Sequence, residues 1–207
     1  VLDIVIAGVR EDIQANPDGD YVSVSINDGG SATICDCKNC RTVAEREGES
    51  GLLLSFVNRV ADAIKDKHPD KYIVTLAYTS TQYPPKRIAA RDNVIVWVCK
   101  GPRSSAVYLP MGTESRELET MRQWTKHARH VWLWDYGTGS FWPRHFFKPM
   151  TWKMDQQFKL ARRLKVIDGI FMDHHNVTYE EPPTQFYELD AWAYAKLCQD
   201  PGLELDG

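Results

Sequence analysis

Three aspartates stand where β-type runs end. Asp28 closes "YVSVSIND", Asp135 lies near the end of "VWLWDY", and Asp173 closes "IDGIFMD". Carboxyl groups gathered at the ends of parallel strands suit the cleavage of glycosidic bonds. That reaction uses two of them, one protonated as acid and the other as base or nucleophile. Asp135 and Asp173 end successive runs and form the leading catalytic pair. Asp28 would reach the same hollow as substrate binder or alternate catalyst. Each also has a plainer use. Asp28 before Gly29-Gly30 suits a turn. Asp173 could join His174, His175 and Asp28 as ligands of a metal-dependent hydrolase. Asp135, wedged between Trp134 and Tyr136, is harder to explain by packing alone.

Residues beside these acids could bind sugar. Asn27, Tyr78 and His174 offer hydrogen bonds to hydroxyls, and Trp134, Tyr136 and Trp142 offer aromatic faces for stacking, although core packing would also use them. Arg87 and Arg91 could fork onto a uronate carboxylate or lie as solvated surface. Cys35, Cys37 and Cys40 make a C-x-C-x-x-C cluster. Such density means metal ligands or disulfide partners. Tetrahedral zinc takes four ligands, and Cys99 at the end of a later strand could be the fourth. The rival is a Cys37–Cys40 or Cys35–Cys40 disulfide bracing the loop in an oxidising compartment. Five cysteines cannot all pair within the chain, and Cys198 is expected as a buried free thiol on the last helix.

Elements must position these groups. Residues 21–27 alternate polar and apolar, and 72–78, 94–99, 131–136 and 167–173 are mostly apolar, as strands covered on both faces are. Helical spacing separates most of them. It runs through Leu53, Phe56, Val57, Val60, Ala61 and Ile64; then Leu118, Met121, Thr125 and Ala128; then Met154, Phe158, Ala161 and Leu164; then Phe186, Leu189, Ala193 and Leu197. Leu2, Val5, Val9 and Ile13 predict an opening helix that stops at Asn16-Pro17. The link from Tyr78 to Val94 has no convincing helix. Helix-to-strand links are short and strand-to-helix links, such as 28–50 and 137–150, are long. That asymmetry marks the loop-bearing face of an α/β sheet.

No G-x-G-x-x-G, Walker-A or G-x-S-x-G motif follows a strand. The expectation is an α/β fold with a parallel sheet, the C-terminal part (about five strands) of a (β/α)8 TIM-type barrel. Residues 1–207 would form one domain whose first strands lie upstream in the same polypeptide. A net charge of −3 gives no electrostatic case for nucleic acid or an anionic membrane as partner. No apolar run approaches the roughly 20 residues needed to span a bilayer. The opening residues lack an initiator Met and a basic flank, so they are read as a processed or cut end rather than a signal peptide.

"SVSINDGG" with "CDCKNC", then "LLLSFVNRVADAIKDKHPDKYIVTLAYTSTQYPPK", "NVIVWVCK", "VWLWDY" and "VIDGIFMD" resembles a bacterial domain-of-unknown-function family. Its members are secreted, glycoside-hydrolase-like proteins distantly similar to α-glucuronidases. The resemblance covers residues 21–201. It implies a barrel, secretion or a periplasmic location, and an oligo- or polysaccharide as partner, hydrolysed without a required cofactor; a structural zinc remains open. The family pattern carries Glu near Asp173, where this chain has Asp173-His174-His175.

Overall fold

The computed structural model describes residues 1–27, 34–99, 116–135, 154–155, 158–159, 162, 168–172 and 187–204. Its elements run α1 (Leu2–Ala15), β1 (Tyr21–Ser23), α2 (Lys38–Glu47), α3 (Glu49–Ile64), β2 (Tyr72–Ala77), a 3-10 turn (Thr79–Thr81), β3 (Val94–Cys99), α4 (Arg116–Trp124), β4 (His130–Asp135), β5 (Gly169–Met172) and α5 (Tyr187–Gln199). The strands are all parallel and hydrogen-bonded in the order β1-β2-β3-β4-β5. Tyr21 pairs with Tyr72, and Ile73 with Val94, at the starts of the first two ladders. A doubly wound sheet reverses its strand order at a switch point. Here the order never reverses, which is how strands follow one another around a (β/α)8 barrel. The fold is α/β, a five-stranded parallel sheet of partial TIM-barrel type, as the sequence implied.

The side-chain period of two divides the sheet into two faces. Thr75 and Val96 are register partners, and both border a small cavity with Leu53 and Leu54 of α3 and Trp124 of α4. That face meets the helices. On the other face Trp132 of β4 lies edge-on to Trp97 of β3 and to Tyr21 of β1, each at 5.6 Å between ring centroids. Tyr72 meets His130 the same way at 5.4 Å. Neighbouring strands are about 4.8 Å apart, so rings from β1 and β4 touch only if the sheet curls toward this aromatic face. β1 stops early as a ladder. Val24 N–H still donates to Val74 O at 2.8 Å, after which Leu76 N–H donates to the Ser25 hydroxyl at 3.2 Å.

The described residues fall into two compact units, Val1–Cys99 with Thr120–Trp132, and Lys100–Glu119 with Leu133–Gly207. In the first, of the residues that the helical spacing singled out, α1 buries Val9 and Ile13 and α3 buries Val57, Val60, Ala61 and Ile64, while Leu2, Val5, Leu53 and Phe56 are half-buried. In the second, Met154, Phe158, Ala193, Tyr194 and Leu197 form a core that Ile170 and Leu203 join. Three expectations need correction. Residues 38–47, taken as loop, form α2; the helix buries only Glu47 and so carries no apolar stripe to see. Leu189 is exposed rather than on the buried face of α5. Cys198 is likewise exposed, one position past buried Leu197. Phe186, Ala161 and Leu164 lie outside the described residues, as does the side chain of Leu118.

α2 and α3 meet at Gly48, whose φ of +86° is open to glycine and strained for other residues. One turn on, the backbone of Gly51 lies so close to the Glu47 side chain and Pro85 that an added Cβ would collide with Glu47. Gly51→Ala should therefore lower stability by about 1–3 kcal/mol in a denaturant melt. Gly8→Ala, where a Cβ meets nothing within 4 Å, should raise it by up to about 1 kcal/mol. Equal effects of the two changes would refute the close approach.

Candidate functional site

Strands sharing a direction deliver their C-terminal ends to one rim, the usual seat of function in a barrel. β2 ends at Ala77, and Tyr78 follows it half-buried in extended backbone. Next comes Thr79 at φ +50°, a left-handed conformation that a β-branched residue seldom adopts. The turn is held by Thr81, whose hydroxyl donates to Tyr78 O at 2.9 Å and accepts from Tyr78 N–H at 3.2 Å. Asn27 is exposed after β1.

β4 carries the strand-end acid. Val131, Leu133 and Asp135 are buried while His130, Trp132 and Trp134 are half-buried, a clean alternation. Trp132 lies on the aromatic face, so along β4 Trp134 shares it and Asp135 lies on the opposite face, with Val131 and Leu133. β5 agrees independently: Phe171 stacks on Trp134 at 4.7 Å with a 56° tilt, while Ile170 turns to the helical core. Asp135 is 1% exposed. Among the described residues at this end of β4 and β5, the Trp134–Phe171 pair offers aromatic surface, with Phe171 39% exposed and Trp134 half-buried. Asp28, Tyr136, Trp142, Asp173, His174 and His175 lie outside the described residues, so the structure brings none of them to Asp135 or apart from it.

Cys35, Cys37 and Cys40 come together with their sulfurs all within 4.8 Å of one another, a grouping that could hold a metal ion. Cys37 is the N-cap of α2, and Cys40 lies in its first turn. The backbone N–H of Cys40, with the Cys40 and Cys35 side chains, holds the Cys37 thiol below its ordinary value. Hydrogen bonding to Cys37 and then Cys35, aided by burial, pushes Cys40 up to about 12. The structure keeps all three as free thiols. Cys99 is in no disulfide and is buried at the end of β3, with its S–H directed at Trp97 O, 3.8 Å away. Alternation puts Cys99 on the aromatic face with Trp97, whereas Cys35 and Cys40 line a groove with Ile26 and with Leu52, Leu53 and Phe56 of helix-side α3. The sheet thus separates Cys99 from the cluster.

A family model for a domain of unknown function, DUF4838, matches residues 1–207. The chain belongs to this family. No curated protein and no solved structure matches it.

The two arginines of the helix-poor link in this DUF4838 chain are engaged within the protein. Arg87 N–H donates to Glu47 Oε2 at 3.0 Å, and its guanidinium meets Oε1 at 3.0 and 3.1 Å. Arg91 Nε forks onto both Asp62 oxygens at 3.1 and 3.0 Å. Between them, Asn58 donates to Ala89 O at 2.8 Å and accepts from Arg91 N–H at 3.0 Å. Sequence reasoning missed Asn58 and Asp62, because polar residues inside helices read as solvated faces, and Glu47, because its stretch was taken as loop. Burial pushes the Glu47 and Asp62 carboxyls up, but their arginine partners outweigh it and leave both below the ordinary range. A depressed carboxylate stabilises the fold above its unfolded value and ceases to do so as pH falls through its folded one. Glu47→Gln should therefore lower Tm by roughly 5 °C at neutral pH, and the gap to the native chain should close as pH falls below the ordinary glutamate range. A gap independent of pH in thermal melts would contradict the charged clamp.

Proposed function

We propose that this chain is a glycoside-hydrolase-like domain of an exported, carbohydrate-active protein. In this reading it hydrolyses O-glycosyl bonds with a pair of strand-end carboxyls drawn from Asp135, Asp173 and Asp28. The observation that carries the proposal is a buried acid, Asp135, as the last residue of a strand whose neighbours run the same way. Burying a carboxyl to 1% exposure is costly unless hydrogen bonds or a charge partner compensate it, so the place of Asp135 at the strand end is a specified one. The left-handed Thr79 after β2 adds support, because strained backbone gathers at functional rims. Chemically, one carboxyl would protonate the leaving glycosidic oxygen. The other would activate water or attack the anomeric carbon, according to the separation between them. Two carboxyls suffice for that sequence, so hydrolysis needs no metal, and zinc on the cysteine cluster would be structural.

The alternation of β4 favours a second reading, a non-catalytic carbohydrate-binding barrel. Here Asp135 would anchor the sheet against its helices, while Trp134 and Phe171 would hold the sugar ring. Asp135→Asn separates the two. A panel of aryl glycosides and polysaccharides first identifies what the native chain hydrolyses. On that substrate the variant should lose turnover by roughly 10³-fold while keeping its Tm. A lowered Tm with turnover per folded molecule intact, or no hydrolysis by the native chain across the panel, would replace the hydrolase reading with the binding one.

A further inference from the structure

We propose that Cys35, Cys37 and Cys40 form a zinc–thiolate knuckle that fixes the N-terminal end of α2 and presents Ile34 to α3. The reading rests on neither carbohydrate proposal.

The three sulfurs lie within 4.8 Å of one another. A tetrahedral ion with Zn–S bonds of about 2.3 Å holds its thiolates about 3.8 Å apart, so small side-chain rotations complete three of its four positions. The cluster is local, which means that the chain need only bend once to form it. Cys37 is in extended backbone at φ −68°, ψ 158° and Cys40 is one helical turn further on, so the bend is already made by the start of α2. Cys35 and Cys37 are exposed, which leaves an entry path for the ion, while Cys40 is half-buried and ties the site to the fold.

Soft thiolates select zinc, cuprous copper or iron–sulfur clusters. Zinc is the occupant assigned here, because the knuckle has a positioning task that an ion without redox chemistry fulfils. As each S–Zn bond forms, one thiol proton leaves to solvent, three in all. The fixed stretch carries Ile34 and Cys35 into the wall of an apolar groove with Ile26, Leu52, Leu53 and Phe56. The ion would thus secure the packing of Ile34 and Cys35 on α3.

The test is metal analysis of the full chain, expressed with zinc and purified under reducing conditions without chelator. The native chain should hold one zinc, and cobalt loaded in its place should give thiolate-to-metal charge-transfer bands. Cys37→Ser and Cys40→Ser should each weaken zinc retention by 10-fold or more, on the order expected for a lost ligand interaction, whereas Cys198→Ser should leave it unchanged. Should a variant fail to fold, the cobalt spectrum of the native chain still decides. Absence of zinc and of charge-transfer bands, full retention by Cys37→Ser, or an intact mass two hydrogens short from a disulfide would each overturn the site. Zinc content is read without any sugar, so it stands or falls apart from hydrolysis.

Discussion

The in-register parallel pairing of β1, β2 and β3 is the constraint on which the other features hang. Once Tyr21 is set beside Tyr72 and Ile73 beside Val94, every side chain in the first three strands is assigned to one face or the other. The helix-facing side then receives Ile73, Thr75, Val94 and Val96, each 2% exposed or less. The other side receives Tyr21, Tyr72 and Trp97, whose rings meet His130 and Trp132 across the curl. A slip of one residue would send the aromatics into the helices and the aliphatics to the hollow, so the register is strongly specified.

Two devices hold connections that lack a hydrophobic stripe of their own. The link between β2 and β3 has only one 3-10 turn, and its backbone is secured by side chains of α2 and α3 and by the segment after α4. Glu47, Asn58 and Asp62 serve one side, and His127 O accepts from Ala90 N–H at 2.7 Å on the other. Trp124 adds an indole N–H to Gln82 O at 2.8 Å. Residues 35–40, at the start of α2, instead bend so that their three thiols cluster. Both devices sit on the helix side of the sheet, which leaves the aromatic side to other uses.

The sequence was most informative where one periodicity dominated. The one alternating and four apolar runs became five parallel strands, and the spacing of Leu2, Val5, Val9 and Ile13 became α1, because burial follows period directly. α2 escaped notice since it is almost wholly polar, and its one buried residue is a glutamate. The arginines could not be placed from sequence, because their partners lie about 30–40 residues away and only the fold brings Glu47 to Arg87. For the strand-end acids the sequence gives position along the strand but not the face. Alternation anchored by the Trp132 and Trp134 ring contacts supplies it for Asp135, and shows that a terminal acid and its neighbouring tryptophan serve opposite sides.

The central claim, taken from the proposed function, is that the Trp134–Phe171 pair of β4 and β5 receives a sugar. Saturation-transfer NMR of the full chain against a panel of neutral and uronate-bearing oligosaccharides tests it most directly. The account predicts that at least one oligosaccharide draws saturation from the protein, and that Trp134→Ala together with Phe171→Ala reduces the effect several-fold while the fold is kept. No transfer to any oligosaccharide, or transfer indifferent to the loss of both rings, would contradict it.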